Sequence, residues 1–344
     1  MASFLLRRAA WMVVMFLAVT VVTFIIFFVI PSEDDQASLG RGGAEVDVRT
    51  TVQIDGPIYE EYAEFLHKIV TQGSLGDSWV LRGQEVNDIL VRAAPVTLSL
   101  VIGGALLWML IAIPTGLLAA LRPRSALSRA TTIFVLVGIS AHPLWMGLML
   151  SYIVGARLGL TPTGGYCEVF SPATNCGGPA QWAYHLLLPW FTFALMYAAI
   201  YTRMIRASTL ETLNEDYVRT ARAKGAPEWL VVRSHVLRNA MHPVVTMLGM
   251  DVAVSLGATL FVETAYGLPG LGRLFATSLA RRDFPVLLGI TIYTTMVVIV
   301  VNFVIDVAYG LIDPRARADR RTEGAPSREE RARTVTESAT QPAT

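Results

Sequence analysis

Residues 95–121 read PVTLSLVIGGALLWMLIAIPTGLLAAL and contain no charged side chain. A helix of about 20 apolar residues is long enough to cross the hydrocarbon core of a bilayer. The run lacks the alternation of polar and apolar residues that a strand of a membrane barrel would show. This stretch therefore predicts a transmembrane helix, whose backbone groups are satisfied within the segment.

Five further apolar runs make the predicted fold an all-α membrane protein. The six predicted spans are residues 9–30, 95–121, 130–155, 185–204, 243–262 and 285–312. The first run is longer than the apolar part of a signal peptide, so we expect it to be retained. Charged residues form 16% and hydrophobic residues 53% of the 344 residues, which excludes a disordered chain and disfavours an ordinary soluble enzyme. The net charge of +1 gives no reason to expect a nucleic-acid partner.

The predicted spans divide the chain into four regions. Residues 1–30 hold the N-terminus and first span, 31–94 form a long loop, 95–312 carry the other five spans, and 313–344 form a polar tail. Apolar residues recur with helical spacing within 57–70, which predicts a short amphipathic helix in the long loop. The tail has almost no large apolar residues, so we expect it to be disordered.

Arginine placement predicts how the spans are oriented. The loops at 122–129 and 205–242 and the tail are rich in arginine, whereas the loop at 31–94 is acidic. Basic loops near the spans stay on the cytoplasmic side. We therefore expect a multi-pass protein of the cell membrane with both termini in the cytoplasm and the long loop outside.

The sequence carries no recognisable catalytic set. It has no G-x-x-x-x-G-K-[ST], H-E-x-x-H or G-x-S-x-G motif. Ser140 and His142 are two positions apart, where helical side chains do not face each other, and Pro143 predicts a bent helix instead. We therefore expect no enzymatic activity and no cofactor in this chain.

Two cysteines, Cys167 and Cys176, fall in one loop that we expect to lie outside. Oxidising conditions there favour a disulfide, and two free thiols are the alternative. A metal site is not expected, because the sequence offers neither C-x-x-C spacing nor a nearby histidine.

Acidic residues in or beside the spans need a polar environment. Asp251 and Asp306 lie in the fifth and sixth predicted spans and must face the bundle interior or water. A structural contact and a role in transport are both open for each. Glu263 lies where the fifth span ends, and there we expect it close to water.

The stretch at 215–245 reads EDYVRTARAKGAPEWLVVRSHVLRNAMHPVV. Asp216 is a good N-cap, Gly225 is placed to end the first helix with a positive φ, and Pro227 can open a second helix. The pattern predicts a helix–turn–helix with Tyr217, Thr220, Ala221 and Lys224 on one face. Docking on another protein and contact with anionic lipid headgroups are equally open explanations.

Several motifs occur in order along most of the chain. They are GSLGDS at 73–78, DYVRTARAKG at 216–225, ETAYGLPGLGR at 263–273, RDFP at 282–285 and DVAYGLIDPR at 306–315. Together they resemble permease subunits of the dipeptide, oligopeptide and nickel branch of binding-protein-dependent ATP-binding-cassette (ABC) importers. Of the general cytoplasmic-loop signature of these importers, only Ala221, Gly225 and Leu237 match.

The resemblance implies a type I ABC importer permease fold and assigns roles to two sets of residues. The implied ATPase-coupling residues are Asp216, Tyr217, Arg219, Thr220, Ala221, Ala223, Lys224 and Gly225. The residues implied to shape the external mouth of the pathway are Glu263, Tyr266, Gly267, Pro269, Gly270 and Gly272.

The resemblance also implies partners and a substrate class. The partners would be a second homologous permease subunit, one or two ATPase subunits that bind ATP and Mg²⁺, an extracytoplasmic binding protein and the lipid bilayer. Dipeptides or oligopeptides would be imported, and the same machinery carrying nickel complexes, glutathione or a sugar is the alternative. A membrane-embedded enzyme is a distant alternative, disfavoured by the missing catalytic set.

Overall fold

The computed structural model describes residues 2–26, 58–81, 83–169 and 176–312. Apart from two isolated bridges, all regular structure in these ranges is helical, so the fold class is all-α as predicted. The helices are α1 (Ala2–Phe24), α2 (Ile58–Gln72), α3 (Val86–Leu121), α4 (Ala126–Ser140), α5 (Pro143–Leu150), α6 (Pro179–Leu213), α7 (Asp216–Ala223), α8 (Glu228–Val231), α9 (Arg238–Ala240), α10 (His242–Tyr266), α11 (Leu271–Arg281) and α12 (Phe284–Ile312). Two π-helical segments, Ser151–Arg157 and Val232–Leu237, continue α5 and α8. The tail at 313–344 lies outside the described residues.

Four helices of the described part are long and apolar enough to cross a membrane, namely α3, α6, α10 and α12. The pair α4 and α5 makes a fifth crossing if its halves count as one span. The first predicted span is described only in part. Its apolar stretch Ala9–Phe24 is shorter, and the predicted run continues into residues 27–30, outside the described ranges.

Helix α3 begins at Val86, well before the predicted start of the second span at Pro95. The turns before Pro95 are helical because Val86 and Leu90 are buried with Val286 of α12 in one apolar cluster. A proline inside a helix removes one backbone hydrogen bond, a loss that this packing offsets. The long loop after the first span therefore ends before Val86.

Helix α6 also extends past its apolar run at both ends, and the loop predicted at 205–242 is confined to 214–241. Ile205 is fully buried beyond the predicted end of the span. Ser208 Oγ donates a hydrogen bond to the carbonyl oxygen of Ala240 at 3.0 Å, which ties α6 to α9. Tertiary contacts therefore keep the last turns of α6 helical.

The third predicted span is broken at Pro143, where the helix direction bends by 109°. Proline lacks the N–H group that a continuous helix would use, so the chain restarts there with Pro143 in the first turn. His142 caps the new helix, because its Nδ1 accepts a backbone N–H of α5 at 3.3 Å. Its ring lies edge-on to Phe261 at 4.8 Å. The histidine is thus a structural cap, as expected of a proline-bent span.

The bundle core lies between α3 and α6. Trp108 of α3 stacks on Tyr197 at 4.5 Å and also contacts Phe193 and Tyr201, and all four rings are buried. Gly116 brings the two backbones close, since a Cβ there would lie 2.9 Å from a carbonyl oxygen of α6. Small residues at helix crossings allow such an approach in membrane bundles.

The amphipathic helix predicted within 57–70 is present as α2 and packs on α1. Tyr62 shares a hydrogen bond with Thr20 at 2.9 Å, and its ring lies 5.5 Å from that of Phe24. Phe65 also contacts Phe24, at 5.7 Å. The apolar stripe of α2 therefore faces the C-terminal end of α1.

Candidate functional site

The loop at 214–241 folds into a helical hairpin, called here the coupling hairpin. Glu215 has extended backbone angles and is the N-cap of α7, so the predicted cap, Asp216, is instead the first helical residue. The carboxylate of Asp216 still lies in the first turn, where a negative charge interacts favourably with the helix dipole. Pro227 is the N-cap of α8 and not its first residue, a shift of one position from the prediction.

Gly225 ends this part of the hairpin with a positive φ of 80°, as predicted. Its N–H donates to the carbonyl oxygen of Arg222 at 2.9 Å, and the next N–H, from Ala226, donates to Ala221 at 3.3 Å. A Cβ at Gly225 would meet no atom within 4 Å. A side chain there would therefore cost only backbone strain, about 1 kcal/mol.

The inner face of α7 packs on a small apolar core of its own. Val218, Val231 and Val236 are fully buried, and Ala221 packs against them. Ala221, which the sequence placed on one face with Tyr217, Thr220 and Lys224, is thus half-buried and packs on the valine core. A small residue at this position fits against the valine core.

The outer face of α7 is polar and exposed. It carries six predicted coupling residues, namely Asp216, Tyr217, Arg219, Thr220, Ala223 and Lys224. Tyr217 Oη accepts a hydrogen bond from Asn239 Nδ2 at 2.8 Å, which fixes α7 against α9. Trp229 of α8, which the sequence analysis did not single out, is 63% exposed beside this hairpin turn.

An ion pair spans the turn between α7 and α8. Arg222 donates two hydrogen bonds to the carboxylate of Glu228, at 3.1 and 2.6 Å. This hydrogen bonding lowers the pKa of Glu228 and raises the pKa of Arg222. Both side chains are largely exposed, so the pair orients the turn more than it stabilises the fold.

At the opposite end of α10, Glu263 is fully buried, so the expectation that it lies close to water is wrong. Its carboxylate accepts hydrogen bonds from Thr97 Oγ1 at 2.7 Å and from the backbone N–H of Arg273 at 3.0 Å. Thr97 Oγ1 in turn accepts the N–H of Leu271 at 2.8 Å. Glu263 and Thr97 together cap α11, whose first N–H groups would otherwise be unpaired. Nothing in the sequence pattern indicated Thr97.

The predicted mouth residues form a tight turn around this carboxylate. A Cβ on Gly270 would meet the Glu263 carboxyl group, and a Cβ on Gly272 would lie 2.5 Å from an α10 backbone atom. Gly267 ends α10 in the left-handed region with φ of 65°. Pro269 is exposed. The turn is thus packed into the bundle rather than free to move.

Tyr266 is buried as well. Its hydroxyl shares a hydrogen bond with Thr192 Oγ1 at 2.7 Å. Its carbonyl oxygen accepts the N–H of Gly165 at 3.1 Å. The segment before the first cysteine is therefore attached directly to the α10–α11 turn.

The structure joins Cys167 and Cys176 as a disulfide, with their Cα atoms 5.2 Å apart. His185 Nε2 lies 4.0 Å from the sulfur of Cys176, so the expectation of no nearby histidine is wrong. The possible ligand atoms of these three residues lie within 4.8 Å of one another. Thiolates, not disulfide sulfurs, bind metals, so the oxidised loop does not fit a metal site.

Asp283 is a buried acid that the sequence analysis quoted only within a motif. It accepts hydrogen bonds from Ser78 Oγ at 2.5 Å and from the N–H of Trp79 at 3.1 Å. The rings of Trp79 and Phe284 meet edge to face at 5.7 Å. The motifs at 73–78 and 282–285 are thus one structural unit at the start of α12.

The two intramembrane aspartates are described to different extents. Asp251 accepts a hydrogen bond from Tyr201 Oη at 2.7 Å. Asp306 lies in α12, and its side chain is outside the described part of the chain. The structure thus gives one of the two acids a defined environment.

These features define a multi-pass membrane component. A polar hairpin lies at the start of α10, and a tightly packed turn lies at its end. The model described as "Binding-protein-dependent transport system inner membrane component" matches residues 112–318, and the model for the N-terminal part of such components matches residues 1–101. The chain therefore belongs to the family of inner membrane components of binding-protein-dependent transport systems.

Named relatives align over almost the whole chain. The oligopeptide transport system permease protein AppB of Bacillus subtilis is 33% identical, over 92% of this chain and 99% of the relative. The di/tripeptide permease DppB of Pseudomonas aeruginosa is 32% identical over 93% and 100%. The dipeptide permease DppB of Escherichia coli K12 is 31% identical over 92% and 99%.

A solved structure of the MetNI methionine ABC transporter supports the fold. It matches 65% of this chain and 96% of that chain, with a TM-score of 0.51 and 17% sequence identity. At that identity the likeness concerns the fold alone. The fold is the type I ABC importer permease fold that the sequence predicts.

Proposed function

We propose that this chain is one of two permease subunits that form the membrane pathway of an ATP-driven peptide importer. The observation that carries the proposal is that the three relatives above are named as oligopeptide, di/tripeptide or dipeptide permeases and each aligns with more than nine tenths of this chain. The substrate would be handed over by an extracytoplasmic binding protein.

The energy for transport comes from separate ATPase subunits, since the chain has no P-loop of its own. ATP and Mg²⁺ bind to those subunits, and the outer face of α7 docks on them. Its inner face is anchored by the valine core, and Tyr217 is fixed to Asn239 just before α10. A movement of the ATPase is thereby passed to the membrane helices.

The arginine-rich loops support an orientation with the coupling hairpin and both termini in the cytoplasm. The α10–α11 turn, with Tyr266 and the attached Cys167–Cys176 loop, then lies on the outer side. In this position the turn shapes the external mouth, where the binding protein delivers substrate. Outer conditions there maintain the disulfide.

Uptake in a strain deleted for this chain tests the function. We expect plasmid-borne wild-type chain to restore uptake of labelled dipeptides or oligopeptides, and a partner ATPase without its P-loop lysine to abolish it. Purified chain without partners should hydrolyse no ATP. Restored uptake of nickel with no peptide uptake would contradict the peptide assignment and support the alternative cargo.

A further inference from the structure

Asp251 has no role in the coupling hairpin or in the α10–α11 turn. It lies inside α10, one of the helices able to cross a membrane. Tyr201 Oη binds one oxygen of its carboxylate at 2.7 Å. Among the described residues, no other hydrogen bond or ion pair reaches this carboxylate. One oxygen is therefore available to a group from outside this chain.

The side of α10 next to Asp251 is exposed. Met247, Met250, Val254 and Gly257 follow one another at helical spacing along this stripe, and Asp251 is half-buried at its edge. A carboxylate that faces lipid is strongly unfavourable, so acids in membrane helices face the bundle interior or a water-filled cavity. In the proposed importer, the acidic group at its edge makes this side of α10 suited to line the pathway.

The support behind Asp251 is rigid. Tyr201 is fully buried and belongs to the aromatic cluster with Trp108 and Tyr197 at the α3–α6 contact. A hydroxyl held in this way fixes the direction of the carboxylate before any ligand arrives. Preorganised polar groups of this kind are typical of binding positions.

We propose that Asp251 contacts the ammonium group of a peptide in transit, an inference that rests on the proposed function. The N-terminal ammonium is the cationic group that peptides share whatever their side chains, and it is largely charged at neutral pH. A carboxylate offers it a charge-assisted hydrogen bond where hydration is reduced. The flexible thioethers of Met247 and Met250 suit side chains that vary.

Two variants of the complete transporter test the inference. Asp251→Asn keeps the shape and the hydrogen bond from Tyr201 but removes the charge. We expect its dipeptide uptake at saturating binding protein to fall about tenfold, the loss typical of one charge-assisted contact. Tyr201→Phe keeps the charge of Asp251 but removes the hydrogen bond that fixes its direction, so uptake should fall by less than in Asp251→Asn. ATPase co-purification should be unchanged in both variants.

Each other outcome overturns the inference in a recognisable way. Wild-type or faster uptake by Asp251→Asn would show that no cation contact limits transport. Equal loss in both variants would show a structural role, and failure of Asp251→Asn to assemble would show a subunit contact. If the wild-type complex takes up no peptide at all, the proposed function fails and this inference fails with it.

Discussion

Gly225 needs a backbone conformation and not space, because its surroundings are open while its φ is 80°. Gly225→Val should therefore strain the turn, by about 1 kcal/mol or more, and reorient α7. We expect lower uptake and weaker co-purification of the ATPase. Gly225→Asn is the matched control, since asparagine tolerates left-handed angles. Equal, wild-type behaviour of both variants would contradict a role for this turn in coupling.

Gly270 presents the opposite situation, since its backbone is extended while its surroundings are full. Gly270→Ala should push the Glu263 carboxyl group off the N-terminus of α11 and leave a buried polar group poorly hydrogen-bonded. We expect a loss of roughly 1–3 kcal/mol in stability, seen as a lower midpoint of thermal unfolding in detergent, and reduced uptake. Pro269→Ala, at the exposed neighbouring position, should cost less stability than Gly270→Ala. A Gly270→Ala protein as stable as wild type would rule out this role of the glycine.

In the coupling hairpin, substitutions of two alanines can distinguish an effect on folding from an effect on ATPase docking. Ala223 is exposed on the outer face of α7, whereas Ala221 packs on Val218 and its partners. Ala223→Trp should block ATPase co-purification and leave the purified chain as resistant to limited proteolysis as wild type. Ala221→Trp should overfill the valine core, by about 1–3 kcal/mol, and increase cleavage within 214–241. Normal ATPase binding by Ala223→Trp would place the docking surface elsewhere.

The helix boundaries show which structural features the sequence patterns do not predict. Apolar runs located α3, α6, α10 and α12, but α3 and α6 continue beyond those runs because buried side chains support their ends. A hydropathy pattern identifies the apolar part of a helix that can lie in a bilayer. It does not detect polar helix ends that neighbouring helices stabilise. The N-cap of α7 lies one residue before the predicted Asp216, a shift within the one or two residues by which helix ends are ambiguous.

For the molecule as a whole, the orientation is open to a direct test. Single cysteines replacing Gln72 at the end of α2 and Arg124 between α3 and α4 report the two sides of the membrane. An impermeant maleimide added to intact cells should label position 72 and label position 124 only after the cells are permeabilised. Labelling of position 124 in intact cells would overturn the predicted topology.

The same labelling tests the disulfide. In the parent chain Cys167 and Cys176 should resist the maleimide until an impermeant phosphine reduces them, because bonded sulfurs carry no thiol. Labelling without reductant would indicate free thiols. A Cys176→Ser variant should label at Cys167 only weakly, because that side chain is buried.

By itself the sequence determined the all-α membrane class, the family, the helix–turn–helix and the positive φ at Gly225. The class, the helix–turn–helix and the positive φ follow from local rules, namely the length of apolar runs, the capping residues and the freedom of glycine, whereas the family follows from the resemblance of several motifs. Tertiary structure alone decided that Ala221 faces inward, that Glu263 is buried as a cap with Thr97, and that Asp283 joins two distant motifs. Those outcomes depend on which helices approach one another, and burial and hydrogen bonding across long sequence separations leave no periodic signal in the chain.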